Sequence, residues 1–124
     1  MDYGCASGEY SLVIGNLVDN VIGIDISEEM IKLANQKMVN RKSNNIEFHQ
    51  SDITDKRFKP NTFSTILAFN IFHLLKDIPN SFSRLNLLLE NEGIIISQTP
   101  CLGNRNIGFR TFLKFAKKIG IYFY

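Results

Sequence analysis

The 124-residue chain has the length of one domain, with 44% hydrophobic and 21% charged residues and a net charge of +2, which excludes a disordered or low-complexity protein and makes a two-domain enzyme unexpected. No apolar run approaches the ~18 residues that cross a bilayer, and no basic segment leads into an apolar one at the N-terminus, so neither a membrane span nor a secretory signal is expected. Two cysteines, Cys5 and Cys101, are too few for a disulfide scaffold or a zinc site, and a reducing, cytoplasmic setting is the default.

The chain opens on a small-residue loop, Asp2-Tyr3-Gly4-Cys5-Ala6-Ser7-Gly8. Tyr10, Val13, Ile14, Leu17 and Val18 follow at the i, i+3, i+4, i+7 and i+8 positions of one helical stripe. Val21-Ile22-Gly23-Ile24-Asp25 reads as a buried strand ending on a carboxylate. Ser27 is placed to cap a second helix, with Glu28 and Glu29 in its first turn and Met30, Leu33, Ala34 and Met38 on one face. Ile46-Glu47-Phe48-His49-Gln50 alternates as a strand and leads into Ser51-Asp52-Ile53, then a polar loop around Pro60. Phe63 to Phe69 predicts a strand covered on both faces. Helical spacing returns at Phe82, Leu85 and Leu89, Gly93 marks a stop, and Ile94-Ile95-Ile96 reads as another buried strand. This alternation predicts an α/β fold, a doubly wound and mostly parallel sheet with helices on both faces.

In such a sheet ligands bind at the carboxyl ends of the strands. Glycines 4 and 8 let backbone approach a ligand closely, and the helix that follows offers unpaired N–H groups to an anionic group. Asp25, 17 residues after Gly8, suits a carboxylate accepting two ribose hydroxyls. Asp52 can accept from an exocyclic amine, with Ile26 and Ile53 as apolar walls for a base. Each feature alone is more often a turn or a cap; their order and spacing together favour a nucleoside site. The dinucleotide fingerprint is disfavoured, because its three glycine positions fall on Gly4, Ala6 and Glu9, and a glutamate would repel a pyrophosphate.

These segments, with Phe63 to Leu75, the Leu-Leu-Leu-Glu-Asn-Glu-Gly run at 87–93 and Ser97-Gln98-Thr99-Pro100, resemble the motifs of class I S-adenosylmethionine-dependent methyltransferases of the small bacterial type. The resemblance implies S-adenosylmethionine as cofactor and methyl transfer by in-line displacement. It implies that the loop bearing Asp2, Gly4, Cys5, Ala6 and Gly8 lies against the methionine moiety. Asp25 would hold the ribose, Asp52 with Ile53 would read the adenine, and Phe69 and Asn70 would sit beside the transferred methyl group. Ala6 stands where the family usually has glycine, and Ser7 where threonine is common. Tyr10 and Phe69 are candidates for cation–π contact with a sulfonium, worth about 0.5 to 2 kcal/mol.

No catalytic base is assigned. His73 lies among apolar residues and is expected to be a structural, hydrogen-bonded histidine; His49 is expected at the surface. Cys5 has no base partner, and no His, Cys, Asp and Glu cluster supports a metal. The acceptor is not legible, and nothing points to nucleic acid. Residues 1–104 form the expected cofactor-binding core, with nine Lys and Arg against twelve acids. Residues 105–124 hold Arg105, Arg110, Lys114, Lys117 and Lys118 and no acid. They read as a basic amphipathic helix serving as a substrate lid, with peripheral contact to an anionic surface as the alternative.

The resembled fold has seven strands, the first of them central. Met1 falls immediately before Asp2-Tyr3-Gly4, so a hole in the middle of the sheet is expected, with unpaired backbone on both sides. The chain is accordingly expected to be a fragment of a longer enzyme. The alternative is a noncatalytic cofactor-binding or interaction module completed by a partner chain.

Overall fold

A computed structural model describes residues 1–99. Five parallel strands form one sheet in the order β3-β2-β1-β4-β5. In chain order the elements are β1 (Asp2–Tyr3), α1 (Glu9–Ile14), β2 (Val21–Asp25), α2 (Glu28–Arg41), β3 (Ile46–Gln50), β4 (Phe63–Phe69), α3 (Ile78–Leu88) and β5 (Leu89–Gln98), with one 3₁₀ turn at Phe72–Leu74. The expected parallel α/β architecture is therefore present. The expected basic helix at 105–124 and the boundary at 104 lie outside the described residues.

Two apolar clusters cover the two faces of the sheet. On one face Leu12 of α1 and Ile31 and Ala34 of α2 pack with Val21, Ile46 and Phe48. On the other, Phe82, Leu85 and Leu88 of α3 pack with Tyr3, Ile24, Ile66 and Phe72. The rings of Phe72 and Phe82 sit 4.6 Å apart, within the range where aromatic pairs add ~0.5–1.5 kcal/mol beyond the area they bury. Ser27 caps α2 as its sequence position predicts, accepting the amide of Met30 at 3.3 Å. Asp77 does the same for α3, accepting from Asn80 at 3.0 Å.

Three expectations are corrected. Helix α1 ends at Ile14, and its buried residues are Ser11 and Leu12. The stripe of Tyr10, Val13, Leu17 and Val18 is exposed instead. A helix of one and a half turns is oriented by what holds its start, here the bond from Ser11 Oγ to Asp2 Oδ2 at 2.6 Å, and its apolar spacing does not decide which side is covered. Strand β5 starts directly after Leu88, runs through Gly93 and leaves Ile94 and Ile96 exposed. It is one of the two outer strands, and its face bearing Ile94 and Ile96 has no cover among the described residues. Leu88, rather than Leu89, closes the buried face of α3.

Strand β1 is present, but only two residues long. Asp2 and Tyr3 pair with Gly23 and Ile24 on one side, and Asp2 pairs with Leu67 on the other. Met1 extends this ladder: its amine donates to Thr65 O at 2.8 Å, and its carbonyl accepts from Leu67 N at 2.8 Å. Burial lowers the amine from 8.0 to about 6. Between those values the unfolded chain holds a proton that the folded chain has given up, so stability rises as pH increases from about 6 to 8. The full shift corresponds to at most about 3 kcal/mol. Thermal melts across that range should show the rise, and chain acetylated at the Met1 amine should not.

Candidate functional site

The carboxyl ends of β1, β2 and β3 meet in a set of backbone bonds organised by one side chain. After β1 the chain turns sharply, and the amides of Gly4 and Cys5 both donate to Ile24 O, at 2.9 and 3.0 Å. Gly4 and Gly8 take φ of +76° and +78°, the left-handed region, where a side chain is strained. Ala6, in the usual place of a glycine, also has a positive φ, 45°. Its amide donates to Asp25 Oδ2 at 3.0 Å, while Ser27 N donates to Asp25 Oδ1 at 2.9 Å. The Asp25 carbonyl accepts from Ser51 N at 2.9 Å. One residue thus ties the 4–8 loop, the end of β2 and the segment leading to Asp52.

A carboxylate has about four acceptor positions, so Asp25 retains capacity for two further donors. Asp52 is exposed, and its Oδ1 accepts both Thr54 N and Thr54 Oγ1 at 2.7 Å. That Asx turn leaves Oδ2 without a hydrogen-bond partner among the described residues. Ile26, next to Asp25 in the chain, is 75% exposed, an uncovered apolar surface. The end of β4 closes the far side: Ile71 Cδ1 lies 2.8 Å from where a Cβ on Gly4 would stand. Asn70 there has φ of 55° and is exposed. The ring of Phe69 packs edge-on against Tyr10, with centroids 4.8 Å apart.

Three residues named with this site face away from it. Asp2 is 1% exposed and bonded to Ser11; burial pushes its carboxyl up. It anchors α1 to the start of the loop. Cys5 is buried in the α1/α2 core, and burial pushes its thiol up to about 12, which leaves it protonated and unreactive. Ile53 is 2% exposed and packs in the other core, so its side chain offers no wall to a base. In each case the apolar or tightly packed surroundings claim the side chain and leave only the backbone near the loop. His73 is corrected as well: it is exposed in the 3₁₀ turn rather than enclosed by its apolar neighbours. His49 is half-buried, with Nε2 3.2 Å from Glu47 Oε2.

Two cations that hold the site escape sequence reasoning. Lys37 of α2 donates to Ser7 Oγ, Ser7 O and Glu9 Oε1 at 2.8, 3.3 and 2.6 Å, strapping the loop to the helix. Arg84 of α3 donates to the carbonyls of Ile53, Asp55 and Phe58 at 3.1, 3.1 and 2.8 Å, fixing the segment after Asp52. Arg84 stands between Phe82 and Leu85 and is the one charged residue of α3, and that single long cation beside the helix's apolar positions was the available signal. No group of side chains among the described residues could hold a metal ion, and no helix among them is long and apolar enough to cross a membrane.

The methyltransferase domain family model matches residues 1–117. Phosphoethanolamine N-methyltransferase 1 of Triticum aestivum is 28% identical over 102 residues, covering 82% of this chain and 20% of that protein. Demethylmenaquinone methyltransferase of Staphylococcus carnosus is 26% identical over 129 residues, covering 96% of this chain and 51% of that one. In fold, the chain is similar to a SAM-dependent methyltransferase from Aquifex aeolicus, with a TM-score of 0.79 at 20% identity, covering 98% of this chain and 70% of that structure. The chain thus spans between a fifth and about half of the length of these two curated relatives.

Proposed function

The chain belongs to the methyltransferase domain family, and from that premise we propose that it binds S-adenosylmethionine across the 4–8 loop, Asp25 and Asp52, and directs its methyl group toward an acceptor beside Phe69 and Asn70. The observation that carries this reading is Asp25, which already joins Ala6, Ser27 and Ser51 and keeps acceptor capacity for two hydroxyls. The donor and acceptor chemistry fits an adenosyl group: a carboxylate for vicinal hydroxyls, Asp52 Oδ2 for an amine, and Ile26 as an apolar surface for a flat base. The backbone of residues 4–8 lies where a small zwitterionic tail would contact it.

The cofactor supplies a methyl group on a sulfonium, a leaving group that needs no activation. The residues of this chain then have to bind, orient and exclude. Asp25 and Asp52 fix the two ends of the adenosine. The edge-on pair of Tyr10 and Phe69 presents aromatic surface where cation–π attraction of about 0.5 to 2 kcal/mol is available. Aligning acceptor and methyl is the main catalytic contribution, since effective molarities on the order of 10⁵ to 10⁸ M accompany well-oriented reactants.

Titration calorimetry with S-adenosylmethionine and S-adenosylhomocysteine tests the binding step, with micromolar dissociation constants expected for both. No heat with either at millimolar ligand would overturn the reading. Binding without transfer of labelled methyl to any acceptor in a metabolite extract would favour the noncatalytic module.

A further inference from the structure

The proposed cofactor site leaves unused a cavity between the chain that follows Asp52 and helix α3. Its volume is about 390 Å³. Lys56 and Lys59 line it from the chain segment and Arg84 from the helix, and its lining includes no acid. That runs against the balance of charge around it, since residues 1–99 hold nine Lys and Arg against twelve Asp and Glu. Among the described residues none of the three cations is paired with a carboxylate. The acids next to them in the chain are engaged elsewhere. Asp55 accepts from Arg57 Nη2 and Nε at 2.7 and 2.9 Å and from Ser51 Oγ at 2.8 Å, and Asp77 accepts from Asn80 N at 3.0 Å as the cap of α3.

Arg84 is fixed before any ligand arrives, because its Nε and Nη2 donate to the carbonyls of Ile53, Asp55 and Phe58. Its Nη1 keeps two N–H groups that have no partner among the described residues. The side-chain amide of Asn80, also on the lining, is unpartnered among them as well. Two ammonium groups, a guanidinium N–H pair and an amide together offer more donors and charge than a carboxylate, with one charge and two oxygens, can use. A phosphate ester carries about −1.5 to −2 charges at neutral pH and three acceptor oxygens, and charge-assisted bonds to it are about twice as strong as neutral ones. A concave surface lined by one sign of charge raises the local concentration of such an ion. We infer that this cavity binds a phosphate dianion, free or carried by a small ester, with Lys56, Lys59 and Arg84 around its oxygens and Asn80 as a further donor. Phe58 and Pro60 lie on the same lining and receive the carbon part of an ester. Nothing in this site depends on S-adenosylmethionine.

Nuclear magnetic resonance of the full chain during titration with glycerol 3-phosphate, inorganic phosphate and dimethyl phosphate tests this, in about 0.15 M salt so that long-range attraction is screened. Shifts are expected at the amides of residues 54–60, the side-chain amide of Asn80 and the Arg84 guanidinium, with a dissociation constant of about 1 mM or below for the dianions. Dimethyl phosphate, with one charge and two free oxygens, should bind at least tenfold more weakly. Tighter binding of glycerol 3-phosphate than of inorganic phosphate assigns the site to an ester, and equal binding assigns it to the free ion. Lys56→Gln with Lys59→Gln should weaken binding at least tenfold, whereas Lys32→Gln with Lys42→Gln, which removes the same charge outside the cavity, should leave it within twofold. All four lysines are exposed, so both variants keep the fold. Equal weakening by the two pairs overturns the proposal, because overall charge would then account for the binding. So does the absence of shifts at tenfold the expected constant, or a short single-stranded RNA that moves the same resonances at micromolar concentration, which would make the patch a nucleic-acid contact.

Discussion

Asp25→Ala should raise the dissociation constant for S-adenosylmethionine by about 100-fold or more while the chain still folds. The carboxylate offers two charge-assisted hydrogen bonds to hydroxyls, each worth ~1.5–3 kcal/mol, and a loss of about 3 kcal/mol is already more than a hundredfold in affinity. A second contribution arises because the same side chain holds Ala6 N at 3.0 Å and Ser27 N at 2.9 Å. Without it the 4–8 loop loses its tie to β2. Asp25→Asn separates the roles in part: its single side-chain oxygen still accepts from Ala6 N, while its NH₂ can accept neither from a hydroxyl nor from Ser27 N, which the second carboxylate oxygen now holds. Calorimetry and a thermal melt should both place Asn between the parent and Ala, since the tie to Ala6 survives and the tie to Ser27 does not. An affinity for Asp25→Ala within threefold of the parent would remove Asp25 from the binding site.

How much of this was legible in the sequence depended on which force sets each feature. Strands β2 and β4, each between two neighbours, were readable from their own apolar runs, and Phe63 to Phe69 appears with the expected bounds; β3, at the sheet edge, was readable from its alternation. Helix α2 was readable from its cap, Ser27, and its length. Helix α1 was misread because its orientation depends on a polar pair, Asp2 and Ser11, rather than on its apolar stripe. The exposure of Ile94 and Ile96 could not be inferred from their composition, since an outer strand and a central one have the same apolar run.

The same distinction runs through the site. The order of the loop, Asp25 and Asp52 gave their adjacency, because strand ends are brought together by a parallel sheet whatever the side chains do. Which side chains face a ligand was not given by order. Asp2, Cys5 and Ile53 share the motif with Gly4, Ala6 and Asp52, yet they turn into the core. A local period of two or a turn of unknown φ leaves that direction open until packing decides it. Lys37 and Arg84 act over 26 to 31 residues of sequence separation, and long-range polar ties of this kind carry no local signal.

Gly8→Val should lower the melting temperature of the protein by roughly 10 °C or more. At φ of +78° a β-branched residue is strained by ~1–3 kcal/mol. A Cβ placed on Gly8 would stand 2.6 Å from Phe48 Cζ, 3.0 Å from Phe48 Cε1 and 3.1 Å from Ala34 Cβ, and overpacking of a core contact adds ~1–3 kcal/mol. The sum, about 2–6 kcal/mol, is a large share of the ~5–15 kcal/mol total stability of a typical domain, and it corresponds to a fall in melting temperature of roughly 10 °C or more. Gly8→Ala carries the backbone strain and part of the clash, and should lose about half as much. Combining Gly8→Ala with Phe48→Leu removes the ring that the new Cβ meets, so a double-mutant cycle should show the two changes partly compensating, leaving the φ contribution. Circular dichroism melts of the four proteins measure each step. A Gly8→Val protein that melts within a few degrees of the parent would mean that residue 8 does not hold the left-handed turn, and the loop that brings Ala6 to Asp25 would then have to be built differently.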